Sequence, residues 1–117
     1  MKKGYNLEKI KEVCNGDTEL CHRLIAVFIE NAVGHTGKIR QMVSSNNREG
    51  IAGIAHQLVA GLGYVGASRL QKMAREIEKN MPETDAEHLV RSTERLCDGI
   101  SLLVHELSEH LNSGDNG

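Results

Sequence analysis

Apolar residues recur along most of this chain at spacings of three and four, which is the period of α-helices that bury one face. These series run over residues 21–42, 51–65, 70–77 and 89–111, and a shorter apolar segment ends near Cys14. No stretch shows the alternation of β-branched and polar residues that is typical of strands, and the chain has one proline. The pattern therefore predicts four amphipathic helices preceded by a short one.

Polar and small residues between these series predict where the helices begin and end. They are typical caps, turn formers and breakers. In chain order they are Asn6, Asn15-Gly16, Asp17, residues 44–47, Gly66, Asn80-Met81-Pro82, and Thr84 or Asp85. Short connections favour antiparallel neighbours. We therefore predict an all-α fold over residues 6–112, an antiparallel up-down four-helix bundle with a short extra N-terminal helix, followed by a flexible tail at 113–117.

One histidine lies on the polar face of the third predicted helix. His56 is about 140° around that helix from Ile51, a core position. Gly53, Ala60 and Gly63 lie on the same side as His56. An interior glycine costs roughly 1 kcal/mol of helix stability relative to alanine, and long polar side chains are the ordinary choice on a solvated face. This arrangement indicates an imidazole that a bulky partner can reach.

Composition excludes several classes of function. The 117 residues suffice for one domain. A net charge of −2, with one Phe, two Tyr and no Trp, argues against nucleic-acid binding. There is no apolar run of about 18 residues and no signal-peptide pattern at the N-terminus, so we expect a cytoplasmic protein that does not bind or span a membrane.

The cysteines and the remaining histidines are expected to have structural roles. Cys14, Cys21 and Cys97 match no zinc-binding spacing, and we expect reduced, packed thiols. His35 falls on the apolar side of the second helix and is expected at the core boundary. Four more histidines are expected on the surface: His22, His88, His105 and His110.

The stretch around His56 also carries a motif. An alanine precedes the histidine, and a leucine, a small residue and a glycine follow two, four and ten positions after it. These residues are Ala55, Leu58, Ala60 and Gly66. With this motif in a bundle of this length, the chain resembles the histidine-containing phosphotransfer (HPt) domain family of two-component phosphorelays. The resemblance extends from about residue 7 to residue 111, and residues 28–31 and 70–78 also look like the family.

The resemblance implies that His56 accepts a phosphoryl group from an aspartyl phosphate on a response-regulator receiver domain and passes it to another receiver. A neutral imidazole nitrogen is a competent nucleophile near pH 7. In this family the receiver supplies Mg²⁺, so we expect no metal and no cofactor held by this chain. The expected partners are receiver domains and a sensor or hybrid histidine kinase, and the chain is expected to be a monomer. It has no glycine-rich ATP loop, so no autonomous kinase activity is expected.

The resemblance also implies roles for residues around the histidine. The family often has a polar side chain twenty-two positions after it, where this chain has Glu78. A carboxylate there would fix the imidazole tautomer and raise its basicity. Arg75, one turn earlier, is expected on the same face and near the phosphoryl oxygens. The expected docking surface comprises Gly53, Gln57, Val59, Ala60 and Gly63.

The chain departs from the family pattern three residues after the histidine, where the usual lysine is Val59. That lysine normally meets the phosphoryl group, and its loss is expected to cost on the order of 1–2 kcal/mol of phosphoryl stabilisation. An apolar side chain there is also expected to make receiver docking more hydrophobic. Arg69 and Lys72, on the next helix, are candidates to supply the missing charge.

Two other interpretations are open from sequence alone. A degenerate phosphotransfer domain would bind a receiver or another protein without carrying phosphate, which Val59 favours. Retention of His56 and Glu78 favours transfer. The third interpretation is an unrelated four-helix structural protein with a chance Ala-His-x-Leu, which leaves the small residues around His56 unexplained.

Overall fold

The computed structural model of the protein describes residues 4–113, which form five α-helices. They are α1 (Glu8–Cys14), α2 (Thr18–Ser44), α3 (Arg48–Tyr64), α4 (Ser68–Asn80) and α5 (Ala86–Asn112). The all-α prediction is confirmed, and residues 4–113 contain no strand. None of these five helices combines the length and the hydropathy that a membrane-spanning helix needs. Of the predicted tail, Ser113 directly follows α5, and residues 114–117 lie outside the described residues.

Polar side chains cap the N-termini of α2, α3 and α5 at the predicted positions. Asp17 and Asp85 each accept a hydrogen bond from the backbone N–H three residues on, at 3.0 and 2.8 Å. Asn47 accepts one in the same way at 2.9 Å. These bonds satisfy N–H groups that have no partner within the helix. The side chain of Asn6 binds the N–H of Glu8, so α1 begins two residues after the predicted cap.

The four long helices form a closed ring in which each packs on two neighbours. α2 contacts α3 and α5, and α4 contacts the same two helices from the other side. Connections of three to five residues make consecutive helices antiparallel. α2 and α5 have 27 residues each, or about 40 Å, and follow the 45 Å long axis of the molecule. α3 and α4 are shorter, and α1 packs against α2.

The turn between α3 and α4 is held against the N-terminal segment. Gly66 has a φ of +67°, a left-handed conformation that favours glycine. The N–H of Asn6 donates to the carbonyl of Val65 at 3.0 Å. A Cβ at Gly66 would collide with the backbone of Asn6. Both the backbone conformation and the close approach therefore require the glycine that the sequence predicts at this turn.

The core is built from the predicted apolar faces, and all three cysteines are free thiols buried within it. Leu96, Ile100, Leu103 and Leu107 line the α5 side of the core. Burial raises the pKa of the Cys14 thiol to about 11, and a hydrogen bond with Cys21 adds to the shift. Burial likewise raises the pKa of the Cys97 thiol. These thiols are therefore protonated at neutral pH.

Two histidines differ from the prediction of surface positions. His22 on α2 and His110 on α5 are half-buried, and their rings meet edge-to-face with centroids 6.1 Å apart. The ring of Tyr5 meets His110 in the same way, also at 6.1 Å. The segment before α1 covers this end of the long helices, which helical periodicity alone does not reveal. His88 and His105 are exposed as predicted.

Candidate functional site

His56 lies in the middle of α3, and its side chain is 73 % exposed. The opposite face of the same helix is buried in the core through Ile54, Ala55 and Leu58. Residues on both sides of the imidazole are therefore fixed by packing. A regular helix, and not a loop, presents the ring to solvent.

The neighbouring helix α4 brings a carboxylate to this imidazole. Oε2 of Glu78 lies 2.7 Å from Nδ1 of His56. A carboxylate can only accept a hydrogen bond, so the proton of this contact lies on Nδ1 and Nε2 keeps its lone pair in the neutral ring. The structure thus brings together the two residues that the family resemblance pairs. The Glu78 side chain is itself 37 % exposed, so the contact lies at the surface.

The small residues around His56 have different surroundings. A Cβ at Gly53 would meet nothing within 4 Å, and Ala60 is exposed. Gly63, by contrast, is covered by Gln71, whose amide nitrogen donates to the carbonyl of Val59 at 3.1 Å. The open surface therefore lies on the Gly53 and Ala60 side, while Gly63 allows the side chain of Gln71 to pack closely.

The other predicted site residues lie around the same helix pair. Gln57 is exposed next to His56. Val59 is half-buried and packs against the core, so only part of it faces the site. Arg75 is exposed on α4, and its side chain makes no hydrogen bond or ion pair within residues 4–113. Its approach to a phosphoryl group stays a prediction.

Comparison with known proteins decides the family. A family model described as the Hpt domain matches residues 23–112, well over half of the chain. The chain belongs to the Hpt domain family. The crystal structure of the HPT domain from the Hpt sensor hybrid histidine kinase of Shewanella is similar to this Hpt domain, with a TM-score of 0.79. The match covers 94 % of this chain and 95 % of that chain at 18 % identity, which shows a shared fold. A comparison with curated proteins gives no significant match.

On the other side of α3, an apolar groove separates it from α2 in this Hpt domain. The cavity has a volume of about 280 Å³. Its apolar lining includes Leu24, Val27, Phe28 and Tyr64, and Gln57 stands at its edge next to His56. Val27 is 52 % exposed. Helical periodicity alone does not reveal this groove, although a valine on the solvent side of a helical core stripe is one signal of it.

His35 lies on the lining of the same groove, at the core boundary as predicted. Partial burial lowers its pKa, and the nearby charge of Lys38 lowers it further, against the opposing effect of a hydrogen bond with Gln57. These surroundings therefore favour the neutral form of the His35 imidazole. Gln57, which directly follows His56 in the chain, lines the same groove.

Metal ligands are not grouped in the part of the chain that the structure describes. Within residues 4–113, no cluster of three or more His, Cys, Asp or Glu side chains could hold a metal ion. That a receiver domain would hold Mg²⁺ for phosphoryl transfer stays a prediction.

Proposed function

We propose that this Hpt domain is a phosphorelay intermediate that accepts a phosphoryl group on Nε2 of His56 from a receiver aspartate and passes it to a second receiver. The observation that carries the proposal is the 2.7 Å contact between His56 Nδ1 and Glu78 on an otherwise exposed imidazole. The contact leaves Nε2 as the nucleophilic nitrogen. Family membership supports the same reading.

In the proposed step, the lone pair of Nε2 forms a bond to phosphorus while the P–O bond of the aspartyl phosphate breaks. The bonding electrons return to the aspartate as a carboxylate. The proton on Nδ1 stays in place, shared with Glu78, so the imidazole becomes a phospho-imidazolium whose positive charge faces the Glu78 carboxylate. When bound, Mg²⁺ on the receiver neutralises phosphoryl oxygen charge. Transfer to the second receiver is the reverse of this step.

We further propose that the receiver docks over the α2–α3 groove and the exposed Gly53 and Ala60 surface. The groove adjoins His56 through Gln57. Covering its apolar lining with a partner removes apolar surface from water, which favours binding. This arrangement separates docking from chemistry. The partners would be receiver domains and a sensor or hybrid histidine kinase in the cytoplasm, with the Hpt domain acting as a monomer.

The test is a phosphotransfer assay with receiver domains that have been phosphorylated by acetyl phosphate in the presence of Mg²⁺. Wild-type protein should acquire acid-labile, alkali-stable phosphate, and His56→Ala should acquire none. His105→Ala is the matched control, because His105 is 71 % exposed and also lies near a carboxylate, that of Glu109. It should be labelled like the wild type.

Each outcome of this assay favours one interpretation. Label that is lost only in His56→Ala supports phosphotransfer. Receiver binding without label supports the degenerate binding module that Val59 favours. Absence of both label and binding across a panel of receivers contradicts the phosphorelay role.

A further inference from the structure

A phosphoryl group on His56 would enter a site with little positive charge on its own helix. Such a group carries close to two negative charges near neutral pH. The positive charge of the phospho-imidazolium ring faces the Glu78 carboxylate on its other side, so the phosphoryl oxygens have no cation of their own on α3. The one basic residue of α3, Arg48, is bound far from the site, where it donates to the carbonyls of Met81 and Thr84.

The register between α3 and α4 identifies which α4 residue lies at the level of Val59. His56 contacts Glu78, and Gly63 is covered by Gln71, so seven residues forward on α3 correspond to seven residues back on α4. Moving three residues from His56 to Val59 therefore corresponds to moving from Glu78 to Arg75. Arg75 therefore lies at the same level along the helix pair as Val59, whose backbone carbonyl is bound by Gln71.

Helical geometry separates Arg75 from the other cations of α4. Gln71 and Glu78, which both meet α3, lie about 20° apart around the helix, and Arg75 is within about 60° of each. Other basic residues of α4 point further from α3. Lys72 and Lys79 are about 80–120° around the helix from Gln71 and Glu78. Arg69 is about 160–180° from the same two residues.

The side chain of Arg75 is also available to contact a phosphoryl group. Its side chain is exposed, and within residues 4–113 it makes no hydrogen bond or ion pair that would hold it elsewhere. A guanidinium offers two parallel N–H donors to phosphoryl oxygens, and it keeps its charge at any physiological pH.

We infer that Arg75 is the phosphoryl-contacting cation of this Hpt domain, replacing from α4 the charge that Val59 removes from α3. This inference rests on the proposed function. As the N–P bond forms and the P–O bond of the aspartyl phosphate breaks, the guanidinium donates to phosphoryl oxygens and no proton changes place. Val59 can then remain apolar and pack against the core, because the charge comes from the opposite helix.

The experiment measures the rate of phosphoryl transfer to His56 and the half-life of the phosphorylated protein. Arg75→Gln should lower both by about five- to tenfold, the loss of one charge-assisted contact at a partly exposed site. Lys72→Gln removes an equal charge from the same helix and should stay within about twofold of wild type. Arg75→Lys should retain part of the effect, since it keeps the charge but not the paired donors.

The decisive variant restores the family's arrangement. In the Arg75→Gln background, Val59→Lys should recover most of the lost rate and half-life, whereas Val59→Leu should not. The inference is overturned if Arg75→Gln labels like wild type, if Lys72→Gln loses as much, or if Val59→Lys gives no recovery. Failure of the proposed function is distinguishable, because the wild type itself would then remain unlabelled.

Discussion

The two flanks of α3 differ in chemistry although they are opposite sides of the same helix. The flank toward α4 is polar: Glu78 binds the imidazole of His56, and Gln71 binds the backbone of Val59. The flank toward α2 is an apolar groove, with Val27 and other apolar side chains open to solvent. The difference suggests a division in which one flank orients the nucleophile and the other supplies the area for docking. In the proposed function, a domain with so few site residues would work in this way because the receiver would supply most of the chemistry.

The largest effect on the transfer rate is expected from disrupting the polar flank toward α4. Glu78→Ala removes the acceptor that holds the Nδ1 proton, and we expect transfer at saturating receiver to slow by about 10- to 100-fold, as for other residues that orient a histidine. Glu78→Gln keeps an acceptor oxygen without the charge and should fall between Ala and wild type. Single-turnover transfer rates measure this effect.

The matched control for this prediction is Glu76→Ala. Glu76 is an exposed carboxylate two residues away that lines the cavity on the α5 side of α4. Its loss should leave the transfer rate unchanged. Equal losses in the two variants would mean that general surface charge, and not the bond to His56, supports transfer.

The next largest effect, on receiver affinity, is expected from disrupting the apolar flank toward α2. Val27→Glu places a charge in the groove and should weaken receiver binding about tenfold, while the rate at saturating receiver stays near wild type. Val33→Glu is the control, because Val33 is 56 % exposed on the same helix but does not line the groove. Calorimetric titration measures both affinities. A loss of rate at saturation in Val27→Glu would argue against separate docking and chemistry.

A smaller effect compares the two glycines beside His56. Gly53→Ala enters open space and should stabilise the fold by roughly 0.5–1 kcal/mol through helix propensity. Gly63→Ala must displace Gln71, and the loss of its hydrogen bond, about 1 kcal/mol, offsets the gain from propensity. Urea unfolding of both variants measures the difference. Equal stabilisation would show that Gln71 does not restrict position 63.

The smallest expected effect is on the pH dependence of the free energy of unfolding, through His35 in the groove. The pKa of His35 is lowered in the folded protein below its ordinary value of 6.5, so the unfolded chain binds the proton more readily. The free energy of unfolding should therefore fall as the pH drops below about 6.5 and through the folded pKa. His35→Gln should make that slope shallower in a series of thermal melts. An unchanged slope would assign the acid sensitivity to other groups.

Most of the fold follows from sequence because helix periods and caps are local properties. Asp17, Asp85 and Gly66 mark their boundaries through their own backbone and side-chain chemistry, and the exposure of His56 follows from the period of one helix. The contact between His56 and Glu78 is between two helices, and it was predicted only through the family resemblance.

What the sequence did not reveal depends on how helices meet. The groove beside Val27 arises from the spacing between α2 and α3, and the cover over Gly63 comes from one rotamer of Gln71. The partial burial of His22 and His110 depends on where the segment before α1 folds back. Each of these needs a relation between residues far apart in the chain, which no single helical period contains.

The buried thiols have a practical consequence for anyone who follows the dynamics of this domain. Cys14 and Cys21 lie where α1 meets α2, Cys97 lies in the middle of α5, and all three are shielded from reagents in the closed bundle. Alkylation under native conditions must then wait for a local opening, so its rate at each cysteine records how often that segment separates. The wild-type chain thus carries its own reporters at two places in the bundle, and no label has to be introduced near His56.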